Sequence, residues 1–168
     1  MTEQNTTLKD KRRTPPKGDR AVNFVLREAG FVPAFDKVTS VAVVAFTDAG
    51  KIIAVVEHRG ADLPGGHVDQ DETIFEQTAR RETYEEARVR LGELKFVRAI
   101  ESDFYGADDI TYMVIMTAKV AAFEGEPEGS QRLELTAEEF LARHTAFRPE
   151  LMEQIVNAAV AESFGTAA

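Results

Sequence analysis

No cysteine occurs in the 168 residues. That excludes disulfide staples, thiolate catalysis and any zinc site built on cysteine. No apolar run approaches membrane-spanning length, and no signal-peptide core follows the first residues. The expectation is a cytoplasmic protein with no membrane partner. Positive charge is scarce: 20 Lys and Arg stand against 29 Asp and Glu, a net charge of −9 with a pI near 4.9. Such a surface argues against coating nucleic acid. Nucleotide substrates stay open, because divalent cations bound beside the phosphates would invert the local sign. There is no internal repeat.

The 43% hydrophobic content is that of a globular chain, and the length suits one domain with a tail. Residues 1–18 are polar and weakly basic and close on Pro15, Pro16 and Gly18, which marks them as a disordered tail before a single domain over 19–168. Lys9, Lys11, Arg12 and Arg13 are either solvated or a contact for RNA or an acidic partner. Val22, Val25, Leu26 and Ala29 fall at helical spacing before Gly30, predicting a short helix. Val38–Phe46 and residues 51–57 read as strands joined by a Thr47–Gly50 turn. Both are apolar on both faces, which calls for packing on either side and predicts an α/β/α sandwich. Further strands are expected over 94–101, 110–123 and 132–135. Thr136 with Glu139 forms a capping box for a helix through Ala142. A last helix begins at Pro149 and docks through Met152, Ile155, Val156, Ala159 and Val160.

The most informative stretch runs from Pro64 to Val89. Gly65 and Gly66 open a tight loop, and Thr73 with Glu76 reads as a capping box that starts a helix near Ile74. Glu76 and Arg80 stand at i,i+4 as an expected pair. At 100° per residue, Glu85 and Glu86 lie about 60° and about 40° to either side of Glu82, so three carboxylates share one side of the helix. Like charges so placed repel unless a cation lies between them or they face open water. Oxygen donors of this kind suit Mg²⁺ or Mn²⁺. An ordinary solvated face, with Glu85 paired to Arg88 and Glu86 to Arg90, is the plainer alternative. Asp69 and Asp71 lack the glycine and terminal glutamate of an EF-hand.

Gly66, five residues, Glu72 and then Arg81-Glu82-Thr83-Tyr84-Glu85-Glu86 is similar to the signature of the Nudix hydrolases. The resemblance covers roughly residues 38–141 and departs from the pattern in three places. Eight residues, one more than usual, separate Glu72 from Arg81; Thr83 takes an aliphatic place; Arg88 replaces the last glycine. With the extra residue at Ile74-Phe75, everything from Glu76 onward keeps its helical register. Glu72, which in the family fixes the loop against the arginine, is the position the insertion threatens, and Arg88 implies a different helix exit.

The resemblance implies a mixed sheet between helices and a metal, Mg²⁺ or Mn²⁺, held by Gly65, Glu82, Glu85 and Glu86. It assigns catalytic work to Glu82 and Glu85, with Arg81 orienting the carboxylates and Glu82 or a glutamate of the 124–128 turn as base. Arg59 corresponds to a phosphate contact, or is a surface arginine. Tyr105 resembles a mark of dinucleoside polyphosphate hydrolases, or packs at its loop's foot. The implied activity is hydrolysis of a diphosphate linkage in a nucleoside diphosphate derivative or nucleoside triphosphate, on a nucleotide-type small molecule, by a monomer or homodimer. Diphosphate isomerases of similar fold rely on a cysteine that is absent here. A nucleotide sensor of weak activity is the other reading, against which the glutamate cluster is intact.

Overall fold

The computed structural model describes residues 21–57 and 60–165. The expected tail and Arg59 lie outside the described residues. The strands are β1 (Phe24–Leu26), β2 (Val38–Phe46), β3 (Ile52–Glu57), β4 (Gly60–Asp62), β5 (Gly65–His67), β6 (Val89–Leu91), β7 (Lys95–Ser102), β8 (Thr111–Phe123) and β9 (Gln131–Leu135). The helices are α1 (Phe75–Ala87), α2 (Ala137–Arg143) and α3 (Pro149–Phe164).

Along the sheet the order is β1-β7-β8-β2-β3-β4, with β5 also on β2, β6 on β8 and β9 on β3. β2 and β8 run parallel through eight registered pairs, from Val38 against Tyr112 to Phe46 against Lys119, whereas β2 with β5 and β7 with β8 are antiparallel. The sheet is therefore mixed. The alternation of side chains along β2 explains why its run is apolar throughout. Val41, Val43 and Ala45 join Ile53, Val55, Val114 and Ala79 of α1 in one core, while Val44 and Phe46 join Ile52, Ile115, Phe140 and Ile155 in the other. Helices thus cover both faces, as an α/β/α sandwich requires.

Four expectations change. The segment around Val25 is a strand, β1, whose Phe24, Val25 and Leu26 pair with Ser102, Glu101 and Ile100 of β7. The sheet edge offers it a ladder that helical spacing over eight residues does not reveal. α1 starts at Phe75 with Ile74, not Thr73, at the N-cap. Its cap is Gln77, whose Oε1 accepts the Thr73 and Ile74 N–H groups at 2.7 and 3.3 Å. Arg80 does not hold Glu76; it donates to the carbonyls of Leu91 and Gly92 at 2.7 and 2.9 Å, tying α1 to the end of β6. On α3, Leu151 is buried and Val160 is exposed, which rotates the docking face toward the helix start. The Thr136–Glu139 capping box forms as expected, with both bonds at 3.1 Å.

Candidate active site

β5 carries the glycine loop onto β2, where Gly65 pairs with Ala42 and Gly66 with Val41. The two glycines are needed for different reasons. A Cβ on Gly65 would lie 2.5 Å from the Val41 carbonyl and 2.7 Å from Ala42 Cα, both backbone atoms. A Cβ on Gly66 would lie 2.5 Å from the Glu82 carboxylate, so here the loop yields room to a side chain of α1.

α1 buries Thr78, Ala79, Thr83 and Ala87 against the sheet, which leaves Glu82, Glu85 and Glu86 along the loop side. Arg81 organises them. Its Nη1 donates to Glu82 at 2.8 Å and to Glu85 at 3.3 Å, its Nη2 to the His67 carbonyl at 2.8 Å, and its Nε and Nη2 to the two oxygens of Glu72 at 3.0 and 3.1 Å. The residue most threatened by the insertion is therefore in place. Glu72 also accepts from the Asp69 N–H at 2.7 Å and the Thr78 hydroxyl at 2.9 Å. Burial pushes the Glu72 carboxyl up, but Arg81, the Asp69 N–H and Thr78 together hold it below the usual glutamate range. The hydrogen bonds it donates to Glu72 raise the Arg81 guanidinium further above its ordinary value, against burial, and Glu82 adds to the rise.

Glu82 and Glu72 have side chains only 14% and 10% exposed, whereas Glu85 is 57% exposed. Glu86 accepts a long bond, 3.4 Å, from the Gly65 N–H. Glu72, Glu82 and Glu85 thus surround one guanidinium, with Glu86 turned to the loop. Among the described residues no three acidic or histidine side chains converge into a finished cage for a metal ion. The donor chemistry nevertheless fits a hard divalent cation that keeps waters or substrate oxygens in its shell, and the Gly66 cradle leaves Glu82 facing the loop.

The cations of the solvated-face alternative turn toward Tyr84. Arg88 and Arg90 lie over the Tyr84 ring at 5.0 and 4.7 Å, and Arg90 pairs with Glu124. Arg88 does not change the helix exit. It adopts the left-handed conformation itself, φ 55° and ψ 42°, and its N–H donates to the Tyr84 carbonyl at 2.9 Å. In the acidic turn, Glu126 reaches Arg132 at 3.4 Å, while Arg132 donates to the carbonyls of Ala87 and Gly125 at 2.7 and 2.9 Å. Tyr105 stands edge-on to Phe104, 4.9 Å between centroids, outside the lining of the cleft described next.

A cleft of about 620 Å³ opens beside the loop. Gly65, Gly66 and Glu86 line it together with Phe24, Met113 and Phe147. The last three escaped the sequence reading, since nothing local marks phenylalanines 123 positions apart as neighbours.

A mixed sheet between helices, with a glycine loop facing a helix of acids around one arginine, defines a hydrolase of the Nudix type. The NUDIX domain model matches residues 36–160, and the chain belongs to that family. No curated protein matches it by sequence. Among solved structures it is similar to a pyrophosphohydrolase of Bacillus subtilis, at 20% identity over 86% of this chain and 93% of that one, TM-score 0.61. It is also similar to the NUDIX domain of Shewanella oneidensis NrtR complexed with ADP ribose, at 20% identity over 77% and 93%, TM-score 0.58. A third structure is that of MutT, from work on Aliivibrio salmonicida and Vibrio cholerae, at 23% identity over 74% and 98%, TM-score 0.52. At these identities the likeness is one of fold. No described helix is long and apolar enough to cross a membrane.

Proposed function

We propose that the chain hydrolyses a diphosphate linkage in a nucleoside diphosphate derivative or nucleoside triphosphate, water attacking phosphorus. The observation that carries this reading is the balance at Arg81, where Glu72, Glu82 and Glu85 share one guanidinium, with Glu86 on the Gly65 N–H and a loop whose Gly66 leaves room for Glu82. Such an excess of negative charge is stable next to phosphates only when divalent cations are shared between them.

Glu82, Glu85, Glu86 and the Gly65 carbonyl would hold Mg²⁺, with Mn²⁺ as an alternative. When bound, such an ion neutralises phosphate charge and lowers the pKa of a water. Arg81 fixes the carboxylates before substrate arrives, which is where preorganisation contributes most. Glu82 is the base that takes the proton of the attacking water. The Glu82 carboxylate lies against Gly66 of the cleft lining, whereas Glu124 and Glu126 pair with Arg90 and Arg132 outside that lining, which favours Glu82 over either. Arg59 and Tyr105 remain proposed substrate contacts. A pyrophosphohydrolase and a domain holding ADP ribose among the structural relatives support a diphosphate substrate.

The test is Mg²⁺-dependent release of phosphate or pyrophosphate from nucleoside triphosphates, nucleotide sugars, ADP-ribose and dinucleoside polyphosphates, run beside Glu85→Gln. One substrate turned over well and silenced by the substitution supports the proposal. Turnover of a good substrate by Glu85→Gln within a factor of about two of wild type would overturn the ligand assignment. Binding without turnover by the wild type would leave a nucleotide sensor.

A further inference from the structure

The acids and the glycine loop account for one end of the cleft, and its other end has no chemistry yet. Phe24 on β1 and Phe147 in the connection between α2 and α3 meet there edge to face, 5.5 Å between centroids with planes at 80°. Both rings are only partly buried, and both pack on the core from the cleft side with Met113. Passing from β1 through β7, β8 and β2 to β5 takes four strand steps, so roughly 19 Å of sheet separates Phe24 from the glycine loop. Among the described lining residues the charged ones are Asp62 and Glu86, and none is a lysine or arginine. A neutral planar ring finds aromatic surface and a thioether there.

We propose that Phe24 and Phe147 are specificity-determining residues that stack the nucleobase of the substrate, so that β1 supplies base selectivity to the site. Phe24 precedes residues 36–160, the part matched by the family model, whereas Phe147 lies within it, so one half of this wall comes from outside the matched domain. The inference rests on the reading of the chain as a nucleotide hydrolase.

The test compares wild type, Phe24→Ala, Phe24→Leu, Phe24→Trp and Phe147→Ala on the best nucleoside triphosphate and on inorganic tripolyphosphate, which has no base. Calorimetry of the matching nucleoside monophosphate is run on each, with melting curves to confirm folding. Phe24→Ala and Phe147→Ala should each raise KM for the nucleotide about tenfold with kcat little changed, and leave tripolyphosphate turnover as it was. Monophosphate affinity should fall by about the same factor, with Phe24→Trp restoring it and Phe24→Leu, similar in bulk but without a π-face, failing to do so. Equal losses on both substrates, or a Phe24→Leu protein that binds the monophosphate like wild type, would overturn the proposal. If tripolyphosphate is not turned over at all, calorimetry decides alone, and unchanged affinity in Phe24→Ala sinks the assignment. Glu82→Gln separates the two readings: it should silence both substrates yet still bind monophosphate. A wild type that hydrolyses nothing while Phe24→Ala loses monophosphate binding removes the hydrolase reading and keeps the aromatic one.

Discussion

Arg81 closes a two-point bond on Glu72, Nε to Oε2 at 3.0 Å and Nη2 to Oε1 at 3.1 Å, from nine residues further along the chain. A planar fork matching a carboxylate is something lysine cannot reproduce. Arg81→Lys should therefore lower kcat by about 10- to 100-fold while the melting temperature moves little, since the charge is kept. Activity within twofold of wild type would show that the fork does not position the acids.

The same bond sets an acid limit. The Glu72 carboxyl is held below its ordinary value of 4.5 in the folded state. A group lowered on folding stabilises the protein above its unfolded pKa and loses that contribution as pH falls through the folded value. Stability attributable to Glu72 should thus be constant above about pH 5 and decline below the ordinary value. Glu72→Gln should melt lower at pH 7 and show a shallower fall between neutrality and pH 3. Parallel curves would refute the linkage.

Gly65 and Gly66 should separate stability from activity. Alanine at Gly65 drives a Cβ into the backbone of Val41 and Ala42 and should cost about 1–3 kcal/mol of stability. Alanine at Gly66 meets the carboxylate of Glu82, the far end of a flexible side chain that can swing away. That variant should melt near wild type yet lose most of its turnover, and calorimetry of Mn²⁺ binding should show the weaker site.

Thr83 takes a place where the family pattern has an aliphatic, and its fully buried hydroxyl has no hydrogen-bond partner. Thr83→Val removes that unsatisfied group at constant shape and should stabilise the fold by about 1 kcal/mol. A lower melting temperature would mean that the hydroxyl has a partner.

Arg88 holds the left-handed conformation that glycine takes without strain. Arg88→Gly should relieve about 1 kcal/mol, less about 0.5 kcal/mol for the lost contact with Tyr84. Urea unfolding should show a net gain, and a net loss would put the larger weight on the stacking.

The acids of α1 were legible because one short segment contains the whole pattern: a loop opened by glycines, a helix, and carboxylates at i, i+3 and i+4. The sandwich was legible because β2 is apolar in both registers. β1 was misread because Val22, Val25, Leu26 and Ala29 fit a helix as well as an edge strand, and the decision lies with β7, about 75 positions away. The cap was displaced by one residue because Glu76 and Gln77 compete for the same backbone donors, and only the bonds of Gln77 to Thr73 and Ile74 settle which reaches. The aromatic wall was invisible because its two rings come from opposite ends of the chain.

The additional residue before α1 shows what the loop–helix unit holds constant. Ile74 is extended, φ −135° and ψ 154°, and 51% exposed, so the chain just ahead of α1 faces water between two fixed points. Glu72 is anchored on one side of that stretch and Arg81 on the other, and both keep their appointment. What the fold enforces is the meeting of two ends, with slack tolerated between them. Chains with unequal counts in this interval can therefore assemble the same centre, provided the surplus falls ahead of the first helical turn and is free to face water.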